Sequence, residues 1–239
     1  MSYGLTVTND YNTVTIDEAY KNYVLTQKIT LSVAPAKSDW SHAITTSGYF
    51  SGTKPLVFIR NTSGIGVSYS LGFNPTYGYS IGCNAELDTQ FVTVTFYVFD
   101  IIKTTEDSLT GYGLRVYSGN GELSYTSHYK PLRITSIFSI VGVHTEYPGY
   151  NGFASDEPGW SLTSRSCGAA NAGTIAAMIS QPTSFVYGDG SYKQVVHSMG
   201  IDSANYSCKC FAAFQGSLML TYPVQPFGGQ LLFADVSNY

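Results

Sequence analysis

The chain has 239 residues, a formal net charge of −4 and a pI near 5.4, with only 12% charged residues against 44% hydrophobic ones. Ordinary globular proteins carry about twice that charge fraction, and the twelve basic residues are scattered, so the electrostatic footprint of a nucleic-acid binder is missing. The opening "MSYGLTVTND" lacks a basic patch followed by an apolar core, and the longest apolar-leaning run, residues 91–102, is too short for a membrane helix, so neither secretion nor membrane insertion is expected.

In chain order the dominant pattern is alternation. Leu5 and Val7, then Val14 and Ile16, mark one face of two short strands joined across Asn9 to Asn12. Val92, Val94, Phe96 and Val98 mark a longer strand; Leu114 with Val116 and Leu218 with Leu220 mark two more. Turn clusters separate these runs: "NTSG", "FNPTYG", "SGNG", "YPGYNG", "YGDG" and "PFGG". Residues 166–180, "SCGAANAGTIAAMIS", fit a short helix or a strand of small residues equally well, because Gly168 and Gly173 each weaken a helix by roughly 1 kcal/mol relative to Ala.

One pattern occurs twice. At a constant offset of 109, residues 3–25 align with 112–134, and Tyr3/Tyr112, Gly4/Gly113, Leu5/Leu114, Val7/Val116, Tyr20/Tyr129 and Lys21/Lys130 are identical. Both copies read as strand, turn, strand and an aromatic-Lys exit into a third extended run, with Asn or Gly supplying the positive φ of a tight turn. Two copies fall short of the three or more that a solenoid needs. The chain is thus expected to be all-β: an antiparallel β-sandwich over 1–140 containing the duplicated hairpin, followed by a second β-rich region over 141–239 that either packs on the first or stands apart.

Catalytic and metal-binding patterns are scarce. Cys83, Cys167, Cys208 and Cys210 form no CxxC pair, and no His stands near them at zinc-ligand spacing, so they read as thiols rather than ligands. His42, His128, His144 and His197 are dispersed, and the carboxylate pairs Glu86/Asp88, Glu106/Asp107 and Asp156/Glu157 sit beside turn residues. Asn61-Thr62-Ser63 and Asn205-Tyr206-Ser207 match glycosylation acceptors without a leader to direct them there. No catalytic residue and no cofactor is assigned. An enzyme such as a glycan hydrolase would require two carboxylates facing each other beside an aromatic floor, with Asp156 and Glu157 the first candidates. The strongest candidate for a binding loop is residues 146–160, where Tyr147, Tyr150, Phe153 and Trp160 stand among Pro and Gly in a segment expected to be irregular.

The segments "MSYGLTV", "IDEAY", "YVFD", "GYGLRVY", "YKPLRI" and "LLFADVSNY" together resemble the small β-rich virion proteins of tailed bacteriophages. The resemblance covers about residues 1–140 and the last ten, and its motifs are short. It implies a structural, tail-associated protein of the tail tip or fibre, assembled in the host cytoplasm, whose partners are copies of itself and other virion proteins. A receptor- or glycan-binding module at the particle surface, and a head decoration or collar protein, are the alternatives.

Overall fold

The computed structural model describes residues 6–8, 14–17, 21–35, 44–85, 90–101, 112–142, 160–161, 174–179, 185–188, 194–202, 207–214 and 227–239. Among these the protein is all-β and antiparallel. Its strands are β1 Thr6–Thr8, β2 Val14–Asp17, β3 Tyr23–Val33, β4 Thr45–Thr46, β5 Leu56–Arg60, β6 Val67–Asn74, β7 Gly78–Ala85 and β8 Val92–Ile101, then β9 Arg115–Tyr117, β10 Leu123–Thr126, β11 Ile134–Gly142, β12 Trp160–Ser161, β13 Ile175–Ile179, β14 Phe185–Gly188, β15 Gln194–Asp202, β16 Ser207–Phe214 and β17 Phe227–Asp235. The segment that fitted helix or strand is therefore a strand over its described part, β13, where Ala176 and Ala177 are fully buried.

Two large sheets face each other. The first has the order β11-β17-β13-β5-β8-β3, the second β12-β16-β15-β6-β7-β4, with β14 added to β15. Residue 140 lies within β11, and each sheet takes strands from both sides of it. Val57, Ile59, Val94 and Phe96 of the first sheet pack with Val67 and Ile81 of the second to form the sandwich core. Alternation sends Phe58, Tyr97 and Phe99 to the opposite face, where they meet Ala176, Ala234 and Val236 in a second core. Strand β8 is buried on both faces, which is why residues 96–99, "FYVF", read as a continuous apolar run.

The predicted hairpins form as two-stranded units, β1 with β2 and β9 with β10. Their registers are the same under the offset of 109: Thr6↔Asp17, Val7↔Ile16 and Thr8↔Val14 become Arg115↔Thr126, Val116↔Tyr125 and Tyr117↔Leu123, shift included. In the second turn Gly121 takes φ +78° and donates to the Ser118 carbonyl at 2.8 Å. The glycine of Tyr-Gly-Leu has its own reason: a Cβ on Gly113 would lie 2.5 Å from the His128 ring and 2.8 Å from Ser127 Oγ.

The duplication does not stop at the hairpins. Strand β3 pairs with β8 and β11 with β17, and the register shift between Leu25 and Gln27 recurs between Ile134 and Ser136, 109 residues on. Strands β5 and β13 lie inside these pairs, β6-β7 and β15-β16 are the matching hairpins of the second sheet, and β4 and β12 flank them. Both strand orders are therefore palindromes, with equivalents meeting at the centre. The bridge Ala177↔Ile59 sets Phe58 opposite Met178, and Ile201↔Val67 carries Tyr69 opposite Met199. At a third level Leu132 donates its N–H to the carbonyl of its own equivalent, Tyr23, at 2.7 Å. A local dyad runs through all three points and, among the described residues, relates two halves of eight strands each, β14 being the addition.

That third meeting point also joins the sheet edges. Leu25 donates to the Lys130 carbonyl at 3.1 Å, and Val24 bridges Pro131, so the start of β3 and the segment leading into β11 join the two edges of the six-stranded sheet at one end. The bulges permit the bend, since an extra residue kinks a strand and increases its twist. Tyr239 covers the same end: its ring packs edge-on to Phe99 at 5.4 Å and its hydroxyl donates to the Pro131 carbonyl. Burial pushes the Tyr239 phenol above its ordinary pKa.

Candidate interaction surface at a hairpin tip

Of the predicted binding-loop residues, Tyr147, Tyr150 and Phe153 lie outside the described residues. The backbone of Trp160 is not irregular as expected: with Ser161 it forms β12, in register with Cys210 and Lys209. Strand pairing there supplies the backbone hydrogen bonds that a loop would leave to water. Asp156, Glu157 and the acceptor Asn205 also lie outside the described residues. The other acceptor is spent internally, for Asn61 is buried, its Nδ2 donates to the Ile65 carbonyl at 2.5 Å, and its Oδ1 accepts from the Ser63 N–H and hydroxyl. Cys83 is buried in the sandwich core, and burial pushes its thiol up to about 12, which keeps it protonated and inert. Among the described residues no three of His, Cys, Asp and Glu are grouped to hold a metal ion.

The structure instead gathers aromatic side chains at the tip of the β6-β7 hairpin. Asn74 starts the turn, its Oδ1 accepting from the N–H groups of Thr76 at 2.8 Å and Tyr77 at 3.2 Å. This is the local side-chain bond that makes Asn a turn former, and Pro75 fixes φ beside it. Gly78 ends the turn at φ +92°, where a Cβ would come within 2.5 Å of the Phe50 carbonyl oxygen. Only glycine admits that approach, and the approach lets Phe50 and Tyr79 exchange two backbone hydrogen bonds of 2.8 Å each. The segment before β5 is thereby attached to the hairpin.

Phe50 is the buried anchor, 6% exposed, with its ring 6.1 Å from that of Tyr79. Around it Phe73, Tyr77 and Tyr49 stand 65%, 63% and 56% exposed. Tyr49 and Tyr77 pair at 5.2 Å with a 35° tilt; Phe73 and Tyr79 pair at 4.9 Å with a 49° tilt. Leu71 and Phe73 fall on the inward side of β6 with the half-buried Tyr69, but they are 38% and 65% exposed and, among the described residues, neither belongs to the sandwich core, so the apolar side of the hairpin opens toward its tip.

A buried carboxylate holds the neighbouring loop. Asp100, 2% exposed, accepts from the N–H groups of Thr53 at 2.5 Å, Lys54 at 3.0 Å and Ile101 at 2.7 Å. Gly52 is needed beside it, as a Cβ there would lie 2.9 Å from Asp100 Oδ2. The segments that build the tip are themselves uncharged: residues 40–53 and 61–85 contain no Asp, Glu, Lys or Arg, and their exposed polar groups include the hydroxyls of Ser51, Thr53 and Thr76, with Lys54 at the rim.

"FNPTYG" carries the signature of a turn but no local signature of a surface. The available signal is four aromatics, Phe73, Tyr77, Tyr49 and Phe50, in two segments free of charge; that β7 brings those segments together is a long-range pairing that no local pattern encodes. No family model, no curated protein and no solved structure matches the chain.

Proposed function

We propose that the chain is a structural subunit of a bacteriophage particle, associated with the tail, which acts by presenting β-sheet faces to copies of itself and to other virion proteins. The observation that carries this reading is the charge-free stretch of residues 61–85, which builds a whole hairpin of the second sheet. Beyond the aromatic tip, the outward side of that hairpin carries Ser70, Gly72, Ser80 and Gly82, a flat face of small uncharged residues flanked by the 57% exposed Ile44. Interface cores are depleted in Lys, Glu and Asp, and a flat sheet face suits burial against a second one. The resemblance to small tail-associated proteins points the same way, and an assembly role needs no catalytic group.

The test is the mass of the purified protein in solution by light scattering over a range of concentrations. A discrete trimer or hexamer supports a symmetric particle component. A monomer at every concentration, unchanged on mixing with disassembled particle proteins, overturns it.

A further inference from the structure

We infer that the β6-β7 tip is a binding platform for a neutral glycan, a reading that goes beyond assembly and stands independently of it. The duplication provides the main argument, because the second half repeats the same strand pairing with a sequence that lacks the aromatic residues of the platform. Cys83 and Cys210 hold equivalent registers, against Tyr69 and Met199 respectively. From that anchor Tyr79, Ser80, Cys83 and Ala85 align with the identical Tyr206, Ser207, Cys210 and Ala212 at an offset of 127, four matches in seven positions. On the strand before the turn the offset is 130, so in sequence Ser203 aligns with Phe73, and between the two offsets the second copy has three residues fewer and no counterpart of Tyr77. Residues 162–174, which join β12 to β13 as 47–55 join β4 to β5, contain no aromatic at all. The fold is thus made twice, once with Tyr49, Phe50, Phe73 and Tyr77 and once without. The exposed rings are not a requirement of the scaffold.

The chemistry of the tip selects the ligand class. Exposed aromatic rings offer flat apolar surface to the C–H faces of a pyranose, and phenol and alcohol hydroxyls at their edges can exchange hydrogen bonds with its hydroxyls. Residues 40–53 and 61–85, which build the tip, carry no Asp, Glu, Lys or Arg, and Lys54 stands at the rim rather than among the rings, so a neutral saccharide is favoured over an anionic one. The platform is also held in advance of binding. Asn74 fixes the turn, Gly78 ties it to Phe50, and Asp100 fixes residues 53 and 54, so little ordering cost is left to the ligand.

The experiment is a glycan array of neutral hexose and N-acetylhexosamine oligosaccharides probed with the labelled full-length chain. Binding to at least one of them is expected, with Phe73→Ser/Tyr77→Ala lowering its affinity at least about tenfold and Tyr77→Phe retaining most of it. Circular dichroism and the thermal transition report folding of each variant; if the double variant fails to fold, Tyr49→Ala, a single change at an exposed ring, replaces it with the same expectation. Absence of neutral-glycan binding, binding restricted to anionic glycans, or binding that survives loss of the rings overturns the inference. So does a rise in mass with concentration that disappears in the ring variants, since the tip would then be a contact between copies of the chain. An array without binding leaves the light-scattering result untouched, so the two readings fail separately.

Discussion

The two halves of the molecule use one plan in different ways. Asp100 and Asp235 occupy equivalent positions at the ends of β8 and β17, 135 residues apart, since Leu25↔Phe99 and Ile134↔Ala234 are equivalent pairs. Asp100 is buried and receives three backbone N–H groups, whereas Asp235 is more open, caps Ser237 at 2.9 Å and pairs with Arg133 at 3.4 Å. Where the halves agree, as at the shared Ser, Cys and Ala positions of β7 and β16, the scaffold sets the residue. Where they differ, as at the hairpin tips, the scaffold leaves the residue open and the difference carries individual purpose.

The comparison breaks most visibly at the dyad. Phe58 and Met178 face each other there, but Phe58 is fully buried and Met178 only in part. Phe58→Ala is expected to cost about 4 kcal/mol and Met178→Ala about 2, read from urea unfolding midpoints; equal costs would deny that the first half dominates this core. Next come the two aspartates. Asp100→Asn replaces acceptors with an amide that cannot serve three N–H groups, for about 2 to 3 kcal/mol, while Asp235→Asn costs less than about 1.

The hydrogen bonds from Ser237 hold the Asp235 carboxyl below its ordinary pKa, with Arg133 adding to this. A carboxylate whose pKa is depressed by folding stabilises the folded state above its unfolded pKa. That share is therefore lost as pH falls from the ordinary carboxylate value through the lowered one, and the loss should vanish in Asp235→Asn. At the tip Gly78→Ala forces both a positive φ and a contact with the Phe50 carbonyl, for about 2 kcal/mol in the same assay. The smallest effect belongs to the ion pair between halves, Lys21 to Glu122 at 2.8 Å and partly exposed. Glu122→Gln should cost under about 1 kcal/mol and lose that difference in high salt.

Much of the strand content was legible because alternation is a local signal: Val92, Val94, Phe96 and Val98 all lie in β8 with their side chains in one core. The repeat was legible only where the offset stays constant. It is 109 from β1 to the start of β11, then 115 for Thr45/Trp160, 120 for Phe58/Met178, 130 for Tyr69/Met199, 127 for Cys83/Cys210 and 135 for Asp100/Asp235. Loops of different length move the register at nearly every connection, so one sliding alignment sees the first hairpin and then loses the rest. The candidate surface was hidden for a related reason. Tyr49 and Tyr77 are close only through a bridge between Phe50 and Tyr79, which depends on a glycine conformation that composition does not reveal.

The short ladder between residues 23–25 and 130–132 bears on how the chain reaches this state. It joins positions more than a hundred residues apart, so the search for it costs chain entropy that no neighbouring contact has already met. Until it forms, the start of β3 and the segment leading into β11 are unpaired there, each able to pair with a strand from another chain. The same ladder that completes the folded sheet is therefore the step whose delay exposes the protein to aggregation during synthesis at high concentration.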